Sequence, residues 1–135
     1  MLKTPADTFM WSGAADIAAA VTSGSVSATS IIEAALLRIR EREPRLNSFT
    51  AITEDRALVA AQEIDLTCAA GKPPGPLAGV PFAVKNLFDI SDLPTLAGSK
   101  INREAPPANR DAALIERLEA AGAILVGALN MGEYA

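Results

Sequence analysis

The sequence predicts an α/β fold in which an N-terminal helical layer, residues 1–70, precedes the start of an α/β core, residues 71–135. Apolar residues recur at helical spacing in the first part and form short continuous runs in the second. Half of the 135 residues are hydrophobic but only 4% are aromatic. A core built from Ala, Leu, Ile and Val suits helices packed closely on a sheet, and the length suits a single domain.

Two helices are predicted near the N-terminus. The first covers residues 14–22 and is stopped by a Ser-Gly-Ser turn. The second covers residues 28–43, with Ser27 as its N-cap and Pro44 as its end, because proline lacks the N–H that would continue the helix. Its apolar residues fall on one face: Ala28, Ile31, Ile32, Ala35, Leu36 and Ile39.

A short strand over residues 48–52 and a third helix over residues 54–70 complete the predicted helical layer. Gly71 follows the helix and is a fitting C-terminal stop. Small side chains on one face predict a close approach to a neighbouring element: Ala57, Ala60, Ala61, Ile64 and Cys68.

The second half of the chain predicts a β-α-β unit. Short apolar runs at residues 80–84 and 123–126 are the two strands, and the second is continuous enough to be buried on both faces. Asp111 is the predicted cap of the helix between them, residues 112–121. Three side chains of that helix are expected to face inward: Leu114, Ile115 and Leu118.

Chemistry-bearing residues follow both strands. Lys85 comes directly after the first strand, and Asn130, Met131 and Glu133 come soon after the second. Parallel strands end at the same edge of a sheet, so these residues are expected to converge there. Two parallel strands are not a finished core, which predicts an incomplete fold and a chain that is part of a longer protein.

Composition excludes several classes of function. The net charge is −4 with no basic block, so no nucleic-acid contact is expected from this segment. No apolar run approaches the roughly 18 residues of a membrane span, and a cytoplasmic location is the default. With no histidine and one cysteine, the chain offers no Ser-His-Asp triad and no multi-Cys zinc site, and neither a metal nor a cofactor is expected.

Lys85 is the candidate catalytic residue, and two interpretations of it remain open from the residues alone. One is an ordinary solvated lysine at the end of a strand. The other is a desolvated lysine that is held as a neutral amine and acts as a base. Ser99, in the long loop over residues 86–110, could brace this lysine or could instead satisfy its own backbone.

Several segments together resemble one enzyme family. Residues 75–86 read GPLAGVPFAVKN and are similar to the stretch of the amidase signature family that ends in its catalytic lysine. Asn47-Ser48-Phe49 resembles the family's N-terminal pattern. Residues 95–99 (TLAGS), residues 122–127 (GAILVG) and Asn130-Met131 fit in the same order. The resemblance begins at about residue 14 and is most like the carboxybiuret hydrolase branch, followed by the A subunit of glutamyl-tRNA amidotransferase.

The resemblance implies an amide hydrolase with a Ser-cisSer-Lys triad on a mixed-sheet core. Lys85 would be the only triad member here, with both serines beyond residue 135, so the chain alone is expected to be inactive. A small amide is the implied substrate, and a small helical accessory subunit or a second copy is the implied partner. The alternatives are the A subunit of an amidotransferase and a non-catalytic α/β binding or structural module.

The sequence departs from the family pattern at two positions near the candidate site. Asn86 stands where an aspartate often follows the lysine, and Gly132 stands where an aspartate commonly follows Asn-Met. The second departure removes any local hydrogen bond that this aspartate would make.

Overall fold

The computed structural model describes residues 8, 9 and 11–135, so residues 1–7 and 10 of the predicted helical layer lie outside the described part. A 3-10 helix over Lys100–Glu104 interrupts the long loop. The α-helices are α1 (Ala14–Thr22), α2 (Ala28–Leu46), α3 (Glu54–Ala69) and α4 (Ala113–Ala120), and the strands are β1 (Phe49–Ile52), β2 (Pro81–Lys85) and β3 (Ile124–Leu129).

The three strands form a mixed sheet in the order β1-β3-β2. β3 pairs parallel with β2 and antiparallel with β1. The predicted parallel pair and the mixed sheet are therefore confirmed. β3 is the central strand although it comes last in the chain, and its residues 124–128 are buried, as its continuous apolar run predicted.

The sheet lies between two apolar clusters. Ile124 and Val126 of β3 pack with residues of α1, α2 and α3, among them the fully buried Ile32 of α2. Leu125 and Ala128 face the other cluster, which contains Ile115 of α4. Ile124, Leu125 and Val126 alternate between the two faces because a strand has a two-residue period. An irregularity in the β2–β3 register, where Phe82 and Ala83 are aligned with Leu125 and Gly127, returns Ala128 to the face of Leu125. The helical layer is one face of an α/β sandwich.

Small residues bring α3 close to its neighbours. Ala57 and Ala61 of α3 are fully buried in the cluster that includes Val21 and Ile32 of α1 and α2. Asp65 of α3 also reaches the N-terminus of α2, where its carboxylate accepts hydrogen bonds from the backbone N–H groups of Ala28 and Thr29 at 2.6 and 3.1 Å. A carboxylate is well matched to the positive end of a helix dipole.

The start of α2 is as predicted, but its end is not. Ser27 caps the helix by accepting the backbone N–H of Ser30 at 3.0 Å. The prediction that Pro44 ends the helix is wrong, because α2 continues to Leu46. Pro44 lies in the last turn, where its missing N–H costs one hydrogen bond. Asn47 then ends the helix in the left-handed region and donates its N–H to the Glu43 carbonyl at 2.9 Å.

The prediction that Asp111 caps α4 is also wrong. The N-cap residue is Ala112, which makes no side-chain cap hydrogen bond. The carboxylate of Asp111 instead accepts two hydrogen bonds from the Arg56 guanidinium, at 3.0 and 2.6 Å, and one from the backbone N–H of Ser91. A bidentate bond to a guanidinium is stronger than a bond to a neutral N–H group.

The inward face of α4 is narrower than predicted. Ile115 is fully buried and Leu118 is half-buried, but Leu114 is 43% exposed, so its predicted inward orientation is wrong. α4 has only eight residues and presents one short stripe to the sheet, and Leu114 lies beside that stripe.

Arg56 joins α3 to the segment around α4. Its guanidinium binds Asp111 and also Glu119 of α4, at 2.7 Å between the closest atoms of Arg56 and Glu119. The hydrogen bond to Asp111 is the main cause that raises the pKa of Arg56, and the reciprocal bond lowers the pKa of Asp111. Arg56 stays charged over the pH range in which Asp111 titrates, so the pH dependence followed here is that of Asp111.

Asp111→Asn should reduce the free energy of unfolding at neutral pH by about 1.5–3 kcal/mol, because Arg56 loses a charged acceptor. The folded-state pKa of Asp111 lies below the unfolded one. Its stabilisation is therefore complete above about pH 4 and is lost as the pH falls through the folded-state value. Urea unfolding at a series of pH values should show that acid lowers the free energy of unfolding less in Asp111→Asn than in the wild type.

Asp92→Asn, at an exposed position in the loop that precedes Asp111, is the matched control. If acid lowers the free energy of unfolding of Asp111→Asn as much as that of the wild type, this assignment is contradicted.

Candidate active site

Lys85 lies where two parallel strands end together. It is the last residue of β2 and is aligned with Leu129, the last residue of β3. The next residue of each strand also lies at this edge, since the N–H of Asn86 donates to the Leu129 carbonyl at 3.0 Å and the N–H of Asn130 to the Ser48 carbonyl at 2.7 Å. The expected convergence of the two chain segments on one edge of the sheet is confirmed.

The side chain of Lys85 is exposed. Among the described residues its ammonium has no hydrogen bond and no ion pair. The desolvation that a neutral amine needs is therefore not supplied by the described part of this chain. Lys85 is open to a ligand or to further protein at the carboxyl edge of the sheet.

Asn86 is buried immediately beside this exposed lysine, with 3% of its surface accessible. Its side-chain oxygen accepts the N–H of Leu96 at 3.0 Å, and its side-chain nitrogen donates to the Thr50 hydroxyl at 2.6 Å. Its backbone carbonyl accepts the N–H of Ala97 at 2.7 Å. Asn86 thus connects β2 to β1 and to residues 96 and 97 of the long loop.

Ser99 organises the second part of that loop. It is 4% exposed, and its hydroxyl donates to a carboxylate oxygen of Glu133 at 2.6 Å. The hydroxyl oxygen of Ser99 also accepts the N–H of Ile101 at 3.4 Å, at the start of the 3-10 helix. Ser99 therefore satisfies the local backbone and binds Glu133, whereas the alternative in which it braces Lys85 is not observed.

The last residues of this chain contact the same part of the long loop. The N–H of Tyr134 donates to the Ala97 carbonyl at 2.8 Å, and the Asn102 amide donates to the Tyr134 hydroxyl at 3.2 Å. Gly98 permits this approach, because a Cβ atom there would lie 2.6 Å from the Met131 carbonyl oxygen. Residues 96–102 and 131–134 form one unit next to Asn86.

The sequence predicts Lys85 and the edge of the sheet but not two of the hydrogen-bond partners found there. It predicts Thr50 only as part of a strand, and it predicts Glu133 at the edge without a partner. Two signals point to these partners. Thr50 is a hydroxyl residue in a strand next to the predicted site, and Glu133 is an acid that follows a buried strand. Gly132 has no side chain, so the bond that an aspartate would make at this position is absent.

Neither a metal cluster nor a membrane-spanning helix occurs in the described part of the chain. Within residues 8, 9 and 11–135, no group of three or more His, Cys, Asp and Glu side chains is arranged to hold a metal ion. None of the helices over the same residues combines the length and apolar character of a membrane span.

The fold and the lysine-bearing edge define a member of the amidase class. The profile of the family described as Amidase matches residues 30–135, and the chain belongs to the amidase signature family. The matched region includes most of α2, all of α3, the whole described sheet and the segment around Lys85.

Individual relatives agree with this assignment. The chain is 51% identical over 120 residues to AtzE, a 1-carboxybiuret hydrolase subunit of Pseudomonas sp. (strain ADP), covering 89% of the chain and 26% of that protein. It is 43% identical to the A subunit of the glutamyl-tRNA(Gln) amidotransferase of Anaeromyxobacter dehalogenans (strain 2CP-C), covering 99% of the chain and 27% of that protein. The two branches predicted from the motifs are both among these relatives.

The fold is shared with solved enzymes. The structure superposes on the peptide amidase of Stenotrophomonas maltophilia with a TM-score of 0.84 at 33% identity, covering 94% of this chain and 26% of that one. The chain therefore spans about a quarter of the length of the relatives it matches. The expectation of a partial fold is confirmed.

Ser99→Ala should reduce the free energy of unfolding by about 1–3 kcal/mol, because it removes a buried hydroxyl that binds a carboxylate. It should also increase hydrogen exchange at the N–H of Tyr134, which the Ser99–Glu133 bond holds against Ala97. Urea unfolding and exchange measured by mass spectrometry test both effects. Ser91→Ala, in the same loop, is the control and should change stability by no more than about 0.5 kcal/mol. Equal effects of the two substitutions would contradict the role assigned to Ser99.

Proposed function

We propose that this chain is the lysine-bearing N-terminal portion of an amidase that cleaves the carbon–nitrogen bond of a small amide, with Lys85 as the base. The observation that carries the proposal is the position of Lys85 at the joint carboxyl end of β2 and β3. Family membership supports it, because residues 75–86 resemble the stretch that ends in the catalytic lysine of this family.

In the proposed mechanism the neutral amine of Lys85 takes the proton of a first serine hydroxyl. That serine in turn takes the proton of a second, nucleophilic serine, whose oxygen attacks the amide carbonyl. Backbone N–H groups hold the negative charge on the carbonyl oxygen. The amine leaves with a proton, and water hydrolyses the ester that remains on the serine. Both serines and the N–H groups that hold the oxyanion are assigned to parts of the protein that follow residue 135.

The exposure of Lys85 is consistent with this division of the site. A lysine that loses its proton readily must be desolvated, and in the described chain its side chain is open. The relatives are about four times as long as this chain. We assign the covering of Lys85 to the remainder of the protein and to the bound substrate, and we assign the whole enzyme to the cytoplasm.

The A subunit of an amidotransferase is the second candidate function. It is favoured by the 43% identity, over almost the whole chain, to such a protein from Anaeromyxobacter dehalogenans. In that case the same lysine would serve the release of ammonia from an amide, and the ammonia would pass to a second reaction. Both this relative and the carboxybiuret hydrolase relative are named as subunits. We therefore propose that the whole protein works with a small helical accessory subunit or as a dimer.

Lys85→Arg and Lys85→Met in the full-length protein should each reduce kcat/KM by several orders of magnitude. Arginine keeps the charge but cannot act as a neutral base, and methionine keeps the stem without an amine. Thermal melts should show that both variants fold. Lys72→Met, at an exposed lysine in the turn after α3, is the matched control and should keep full activity. A Lys85→Arg enzyme that retains more than about a tenth of the wild-type kcat/KM, a loss under roughly 1.4 kcal/mol, would show that Lys85 acts only as a positive charge.

The isolated 135-residue chain should hydrolyse no amide, because the proposed nucleophile lies outside it. Purified chain of verified mass should be incubated with a panel of small primary amides, with ammonia release as the readout. Turnover that disappears in Lys85→Ala would show that the chain contains its own nucleophile. Such a result would also favour a complete small enzyme over a portion of a larger one. A separate outcome, the absence of amidase activity in the full-length protein, would favour the non-catalytic binding or structural module.

A further inference from the structure

We propose that Asn86 is a positioning residue, which fixes the end of β2 from which Lys85 projects by connecting it to β1, to β3 and to the long loop. The proposal rests on the proposed function, since it requires Lys85 to act as a base.

The first argument is the number of elements that meet at Asn86. Its backbone N–H binds the last carbonyl of β3 at Leu129, and its carbonyl binds the N–H of Ala97. Its side chain binds Thr50 of β1 and the N–H of Leu96. Both backbone groups and both ends of the carboxamide are therefore engaged, within a residue that is 3% exposed.

The second argument is the position of these contacts relative to Lys85. β2 is an edge strand of the three-stranded sheet, so in the described chain it is paired on one side only. Lys85 is its last residue, and its ammonium has no hydrogen bond or ion pair among the described residues. The next residue, Asn86, is thus the fixed point nearest to the lysine on its C-terminal side. A base must be held within about 0.5 Å of its working position, and residues that lock the backbone supply this.

The third argument is the direction of the hydrogen bonds. The N–H of Leu96 can only donate, so the atom of Asn86 that faces it is the carboxamide oxygen. The amide nitrogen therefore faces Thr50, whose hydroxyl accepts this bond and can donate onward to the Ala128 carbonyl at 3.4 Å. An aspartate at this position would force the Thr50 hydroxyl to turn towards it and away from Ala128. The amide nitrogen of Asn86 and the hydroxyl of Thr50 are thus matched as donor and acceptor.

A purely structural role makes a different prediction. If Asn86 only satisfies buried polar groups, its variants should lose activity in proportion to the unfolded fraction and no further. Asp65 supplies a matched comparison, because it also binds two backbone N–H groups between elements. Asp65 binds the N–H of Ala28, and Ala28 lies next to Gly79. Gly79 precedes the start of β2, so this contact lies at the opposite end of β2 from Lys85.

The experiment uses the full-length enzyme and measures kcat, KM and thermal stability for Asn86→Ala, Thr50→Val, Thr50→Ser and Asp65→Asn. At a temperature where each variant is fully folded, Asn86→Ala should reduce kcat by at least about tenfold, while KM changes by less than about threefold. Thr50→Val should reduce kcat in the same way. Thr50→Ser retains the hydroxyl and should keep the wild-type kcat. Asp65→Asn should lower the melting temperature and leave kcat unchanged.

Thr50→Val combined with Asn86→Ala should reduce kcat no further than Asn86→Ala alone, because both substitutions break the same bond. If Asn86→Ala does not fold, the comparison of kcat between Thr50→Val and Thr50→Ser tests the proposal instead. Equal kcat in Thr50→Val and Thr50→Ser would overturn the proposal. So would a kcat for folded Asn86→Ala within about twofold of wild type, or an equal loss of kcat in Asp65→Asn.

Lys85→Met is measured beside these variants and separates the two proposals. Wild-type activity in Lys85→Met would refute Lys85 as the base, and with it the role of Asn86. An inactive Lys85→Met together with a fully active Asn86→Ala would refute the positioning role alone.

Discussion

The burial of β3 on both faces is the constraint on which the rest of the structure depends. A strand with no solvent-facing side needs a partner strand at each edge and an apolar layer above and below. β1 and β2 supply the edges, the helices α1 to α3 cover one face, and α4 with its preceding loop covers the other. Gly127 lets β1 come close, since a Cβ atom there would lie 2.5 Å from the Ala51 carbonyl oxygen. The site follows from the same arrangement, because the parallel partner β2 ends level with β3.

Periodic patterns in the sequence predicted the elements of this sandwich well. The apolar stripe of α2 and the small-residue face of α3 are local features. Most of the α2 stripe is buried, and on α3 Ala57 and Ala61 are buried while Ala60, Ile64 and Cys68 are partly buried against the same cluster. The errors arose where a distant group competes with a local rule. Asp111 has the side chain of an N-cap, but Arg56 lies far from it in sequence and offers a charged, bidentate donor. Pro44 could end a helix, but so close to the C-terminus its cost is small.

The candidate site shows the same difference between features that a short stretch of sequence predicts and features that depend on distant residues. Lys85 could be predicted because a lysine after an apolar strand is a local signal, and the family resemblance strengthened it. The partners of its neighbour could not be predicted in this way. Thr50 reaches Asn86 only because β1 pairs with β3 antiparallel in one register, and Ser99 meets Glu133 only once the long loop has folded back. These contacts depend on long-range pairing, which no short stretch of sequence encodes.

The order of the strands also bears on how the chain reaches this fold. β3 occupies the centre of the sheet but follows both of its partner strands in the chain, and Phe49 of β1 pairs with Leu129, 80 positions later. The sheet therefore cannot begin to form on the ribosome until almost all of these residues have emerged. Until then β1 and β2 have no partner strand in the described sheet, and contacts between such distant residues form slowly.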